Sequence, residues 1–138
     1  MSVVIYHRAD FDGLFCREIA QLAMPDAKLI GWDYGDAEPS IQEDESLFML
    51  DLSVPGLMSH PKLCWIDHHH SAIMKYGSHI AGVRIDGVAA CRLAWQYFIK
   101  HKTPTRAEYY DREVEEPLAV LRRMGQARSS SGAISTWA

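Results

Sequence analysis

No apolar run in the 138-residue sequence approaches the roughly 18 residues that a membrane span needs. The first residues lack the basic start, apolar stretch and small-residue cleavage site of a secretory signal, so the expectation is a cytoplasmic protein with no membrane partner. Cysteine is scarce: Cys16, Cys64 and Cys91 form an odd, widely spaced set inside apolar stretches. That distribution predicts reduced core thiols and argues against a disulfide framework or a thiolate metal site. Positive charge is not in excess either, because 14 Lys and Arg against 18 Asp and Glu give a formal net charge of −4. A domain that coats long duplex nucleic acid is ordinarily basic, so that partner class is disfavoured. The same sum does not exclude a small phosphate-bearing substrate, since several of the acids are candidate metal ligands and two divalent ions would reverse the local sign.

Apolar residues make up 48% of the chain and charged residues 23%, an ordinary composition for a soluble globular protein. The length suits one compact domain, expected over residues 1–125, with a short tail over 126–138 and no second domain. Val3-Val4-Ile5-Tyr6 reads as a strand, followed by a turn at Asp12-Gly13 into a helix over 14–24, where Phe15, Ile19, Leu22 and Ala23 recur at helical spacing. Further short apolar strands are expected over 28–33, 47–50, 63–66 and 80–85, as buried parallel strands are. A short helix over 71–76 should stop at Gly77, and Asp86 is placed to cap an apolar helix over 88–101. Pro104 and Pro117 open two more short helices, around 105–112 and 117–124. Beyond Gly125 the chain is small and polar, with no internal repeat anywhere.

Three polar clusters follow the ends of predicted strands: His7-Arg8-Ala9-Asp10-Phe11-Asp12-Gly13, Asp51 after Phe48-Met49-Leu50, and Asp67-His68-His69-His70 after Trp65-Ile66. Strands of a parallel sheet end along one edge, so ligands just past three of them converge although they are distant in sequence. Imidazole mixed with carboxylate suits a hard divalent ion such as Mn²⁺, with Mg²⁺ the second choice because of the histidines. Structural roles compete: Asp12 can cap the following helix, Asp10 can face its positive end, and a lone Asp51 can be a turn residue. An acid and three successive histidines after a buried strand have no such simple packing role.

The order His-x-x-Asp-x-Asp-Gly, a post-strand Asp, then Asp-His-His resembles the DHH phosphoesterase superfamily, which includes single-strand exonucleases, nanoRNA and cyclic-dinucleotide phosphodiesterases, exopolyphosphatases and class II pyrophosphatases. Gly31-Trp32-Asp33-Tyr34-Gly35-Asp36, Met49-Leu50-Asp51-Leu52-Ser53 and Asp86-Gly87-Val88-Ala89-Ala90 are similar to its oligoribonuclease-like branch, and the likeness covers roughly residues 3–112. The resemblance implies a three-layer α/β (αβα) domain with a mostly parallel sheet of about five strands. It implies two Mn²⁺ ions bridged by a water or hydroxide: His7 and Asp10 on one, Asp12 and His68 on the other, and Asp51 between them. His69 would face the scissile phosphate and Asp67 would orient a histidine from behind. The last family ligand is expected at Asp111, with Glu113 as the substitute, and Arg128 faintly resembles a phosphate-contacting segment; His70 has no family counterpart. The implied activity is hydrolysis of phosphodiester bonds in short oligonucleotides or linear or cyclic dinucleotides. Pyrophosphate or another phosphoanhydride is the alternative substrate, and a non-catalytic nucleotide- or partner-binding module the alternative class. The absent C-terminal domain of such enzymes leaves room for a homodimer or another partner to complete the site.

Overall fold

The structure, a computed structural model, describes residues 1–77 and 79–100. The helices expected around 105–112 and 117–124, the tail, and Asp111, Glu113 and Arg128 lie outside the described residues.

Five strands, β1 (Ser2–His7), β2 (Lys28–Trp32), β3 (Ser46–Leu50), β4 (Leu63–Asp67) and β5 (Ala81–Arg84), form one sheet in the order β2-β1-β3-β4-β5. Every neighbouring pair is parallel, with Val4 opposite Leu29 and Phe48, and Met49 opposite Trp65. Among the described residues three helices accompany it: α1 (Phe11–Ala23), α2 (His70–Tyr76) and α3 (Ala90–Phe98), with a 3₁₀ turn over Pro55–Leu57. The α/β fold with a parallel five-stranded sheet thus stands as the sequence implied.

Alternation along the strands divides the core in two. Val4, Leu50, Ile66 and Val83 point to the face covered by α1 and α3, where they pack with Phe15, Ile19, Leu93 and Trp95. Val3, Ile5, Leu47, Met49 and Trp65 point the other way, against Leu52, Val54, Met58 and the half-buried Ala72 and Tyr76 of α2. Both faces being covered explains why the strands read as continuous apolar runs. All three cysteines are free and buried, and burial pushes the Cys16 and Cys91 thiols well up, as inert core thiols should be.

Helix boundaries depart from the sequence reading for identifiable reasons. α1 begins at Phe11 because Asp10, in extended conformation, is its N-cap: the Asp10 carboxylate accepts the Gly13 amide at 2.8 Å. Leu22, one of the apolar residues recurring at helical spacing, is 45% exposed, since the buried stripe runs through Phe15, Cys16, Ile19 and Ala20. α3 begins at Ala90, and Asp86 does not cap it; Ala89 occupies the N-cap position without a side-chain bond. Its first amides are satisfied instead by Asp12, which reaches across from α1. Seven successive residues of α3, Ala90 to Gln96, are buried, so this helix is enclosed on more than one side.

The strand order places the site. From β1 the chain passes through α1 to β2 on one side, then returns to β3 on the other side of β1. The connections after β1 and β3 therefore diverge, and a crevice opens between them at the carboxyl ends of the strands, the usual binding position in open α/β sheets.

Candidate metal centre

His7 closes β1, Asp51 follows β3 directly, and Asp67 closes β4, so the three sheet-edge positions are adjacent in space. The loop after β1 is held close to the strand end by Gly13, where a Cβ would overlap the His7 carbonyl oxygen. Asp51 has φ of 65°, the left-handed region that few non-glycine residues adopt, while its amide still donates to the Ile66 carbonyl at 2.9 Å. Its side chain is fully buried. A strained backbone carrying a buried carboxyl at a sheet edge is costly to maintain, as functional positions often are.

Two clusters of potential ligand atoms meet there. His7, Asp10 and Asp51 form one, and Asp51, Asp67, His68 and His69 the other, each offering atoms within 4.8 Å of one another. Asp51 belongs to both. His7 Nδ1 lies 3.2 Å from Asp10 Oδ2 and 3.7 Å from Asp51 Oδ2, and His68 Nε2 lies 3.1 Å from Asp51 Oδ1 and 3.3 Å from Asp12 Oδ2. No cysteine enters either cluster among the described residues.

Buried polar atoms without partners are uncommon in folded proteins, because each forfeits its hydration. Here His7 Nδ1, Asp51 Oδ2 and Asp67 Oδ2 are buried with no hydrogen-bond partner. Burial, and then the charges of Asp12 and Asp10, push the Asp51 carboxyl up to about 10. The pocket is thus arranged so that its central acid resists ionisation unless positive charge is supplied. A cluster of carboxylate oxygens and imidazole nitrogens with unsatisfied atoms facing one another fits hard divalent cations.

Asp12 stands beside these clusters, not within them. Its Oδ1 accepts the Cys91 amide at 2.7 Å and its Oδ2 the Ala90 amide at 3.0 Å. Each carboxylate oxygen has a second lone pair, so capping α3 leaves Asp12 able to accept from, or coordinate, a group on the His68 side. The structural roles expected for the first loop are therefore divided differently: Asp10 caps α1, and Asp12 caps α3.

Asp67 Oδ1 accepts from three donors, His69 Nδ1 at 2.7 Å, the His68 amide at 2.7 Å and the His69 amide at 3.4 Å. That carboxylate fixes the turn into α2 and raises the pKa of the His69 imidazole. With Nδ1 engaged, His69 turns its other ring nitrogen outward, and its side chain is 44% exposed. His70 is farther out, within 3.4 Å of Asp86 as an exposed pair.

Sequence reasoning gave no role to the turn after β2, and the structure places it on the site. His7 Nε2 is 3.0 Å from Asp33 Oδ1, and this contact holds the Asp33 carboxyl below the usual carboxylate range. The Tyr34 ring meets His7 edge-on at 5.7 Å. Arg8 binds Asp36 through two nitrogens, at 3.0 to 3.2 Å, and Asp36 also accepts the Asp33 amide at 2.9 Å, closing the turn. The signal was the Asp-x-x-Asp spacing after a strand ending beside the first cluster.

A cleft of about 420 Å³ opens next to His69, bounded by Tyr34, Ser53, Lys75 and Tyr76. No helix among the described residues is long and apolar enough to cross a membrane. No protein-family model matches the chain, and no curated protein or solved structure matches it.

Proposed function

We propose that the protein is a metal-dependent phosphoesterase that hydrolyses phosphodiester bonds of short oligonucleotides or linear or cyclic dinucleotides. The observation that carries this reading is the sharing of one buried, strained acid, Asp51, by two ligand clusters at the switch point of a parallel sheet. In support stand the buried atoms of His7, Asp51 and Asp67 that have no hydrogen bond and the resemblance of the three loop motifs to DHH phosphoesterases.

His7, Asp10 and Asp51 would hold one divalent cation, and Asp51 with His68 the other, Asp12 completing the second set. Mn²⁺ suits this mixture better than Mg²⁺ because of the imidazoles. When bound, two such ions neutralise phosphoryl oxygens and make an attacking water more acidic. The protein's own contribution is positional. Asp33 fixes His7 by its far nitrogen, so that Nδ1 faces Asp10 and Asp51. Asp67 fixes His69 with its free nitrogen toward the cleft, and a cationic imidazole there stabilises negative charge on the attacked phosphoryl group.

Pyrophosphate hydrolysis would use the same centre, and capture of a nucleotide without turnover would use the same ligands. The partly exposed, carboxylate-held His69 at the mouth of a cleft favours turnover over capture, because a passive site has no use for a poised acid. The deciding experiment is a turnover screen in Mn²⁺ against a dinucleotide, a short RNA, a cyclic dinucleotide and pyrophosphate. Preferential cleavage of a diester supports the reading; cleavage of pyrophosphate alone, or of nothing, overturns it.

A further inference from the structure

The metal centre is crowded with acids, yet the cleft beside it has none on its walls. Tyr34, Ser53, His69, Ser71, Lys75 and Tyr76 line it, and Lys75 brings its only permanent positive charge. Lys75 forms no ion pair among the described residues; its ammonium lies 5.3 Å from the centre of the Tyr76 ring. That ring is itself seated edge-on against the buried Trp65 at 5.9 Å. Across the cleft, the Ser53 amide donates to the Tyr34 hydroxyl at 3.1 Å, and Tyr34 packs edge-on against Trp32 at 5.3 Å. The walls are thus braced on the core, while Lys75 and Ser71, both exposed to solvent, make no side-chain hydrogen bond within the protein among the described residues.

A site for a neutral group would not need the lysine, and a third metal ion would be repelled by it. From this cleft we infer that the protein has a second anion subsite, centred on Lys75, for a further phosphate of the same substrate, with the scissile phosphate at the metal centre. The inference rests on the phosphoesterase reading for the position of the scissile phosphate. It adds a selectivity: substrates bearing a terminal phosphate beyond the scissile group would be preferred over those without one. Lys75 acts as a point charge on a flexible stem, tolerant of the phosphate's exact placement, and Ser53 and Ser71 add hydroxyl donors. A partly exposed ammonium acting on phosphate typically contributes on the order of tenfold in affinity, less at high salt.

The test uses ligands that cannot be turned over. Alkane α,ω-bisphosphonates of increasing chain length are compared with the matching monophosphonates by calorimetry on the Mn²⁺-loaded full chain. At one or more chain lengths the bisphosphonate should bind roughly tenfold tighter than its monophosphonate. Lys75→Gln should abolish that advantage and leave monophosphonate affinity unchanged, and Lys75→Arg should restore most of it. No advantage at any length, an advantage that survives Lys75→Gln, or no binding of either ligand overturns the inference. Because binding is read apart from turnover, the two readings fail separately. A Lys75-dependent advantage without diester cleavage would remove the hydrolase, and cleavage without that advantage would remove the subsite.

Discussion

Asp12 accepts the backbone amide of Cys91 at 2.7 Å across a separation of 79 residues, and so ties the first turn of α1 to the start of α3. A helix N-terminus leaves its first amides unsatisfied, and here an acid from the first turn of another helix fills the place of a local cap. Asp12→Ala should therefore weaken the fold even when no metal is present, by about 1 to 2 kcal/mol in urea unfolding. Asp12→Asn, which keeps one accepting oxygen, should lose less. If the alanine variant unfolds at the wild-type midpoint in chelator, the capping bond contributes nothing and the residue's only role is at the cation site.

Asp51 lies in both ligand clusters, whereas His7 and Asp10 lie in one. Elemental analysis of Mn²⁺-loaded protein is expected to give close to two ions per chain, and Asp51→Ala should lose most of both. His7→Ala should lose mainly one. Equal loss in the two variants, or one ion in the wild type, would remove the shared role assigned to Asp51.

The buried Asp51 carboxyl also links stability to pH. Folded and metal-free it titrates at about 10, against roughly 3.9 in an unfolded chain. Between those values the folded state keeps a proton that the unfolded state has released, so stability falls as pH rises, by at most about 1.4 kcal/mol per pH unit. The contribution is fully present below about pH 4 and is lost as pH climbs toward the folded value. Urea midpoints in chelator should thus decline from mildly acidic to mildly alkaline pH, and Asp51→Asn should flatten the decline. Mn²⁺ should offset it, since ligation requires the ionised acid. A metal-free midpoint that rises over the same range would contradict the burial argument.

The strands and the sheet edge were legible because they depend on local pattern. Val3-Val4-Ile5-Tyr6 and Leu63-Cys64-Trp65-Ile66 are apolar on both faces, as strands covered on both sides must be, and acids placed at their ends fall together once the sheet is parallel. The contributions of Asp33 and the Asp12 cap were not legible, because each depends on pairing between segments that no local periodicity relates. Asp33 reaches His7 across 26 residues, and Asp12 reaches Ala90 across 78. Local preference gave α3 the nearest acid, Asp86, as its cap; tertiary packing gave it Asp12. Asp86 instead faces His70 at the surface.

If the protein is the proposed phosphoesterase, His69 offers the sharpest separation of catalysis from assembly. Its Nδ1 is taken by Asp67 at 2.7 Å and its ring is half-exposed at the cleft, so its removal costs His68 a ring contact but leaves the His7–Asp10, His7–Asp51 and His68–Asp51 contacts in place. His69→Ala should therefore keep its Mn²⁺ content and its unfolding midpoint while losing about two to three orders of magnitude in kcat for diester cleavage, the usual cost of deleting one group that stabilises transition-state charge. Asp67→Asn should cost less in rate than His69→Ala. It should also move the falling, high-pH limb of the pH–rate profile to lower pH, because the carboxylate that raises the His69 pKa would be gone. The sign follows from the charge: a cationic imidazole that has lost its anionic partner gives up its proton at lower pH. Loss of metal in His69→Ala, with retention in His68→Ala, would exchange the roles of the two histidines and place His69 among the ligands.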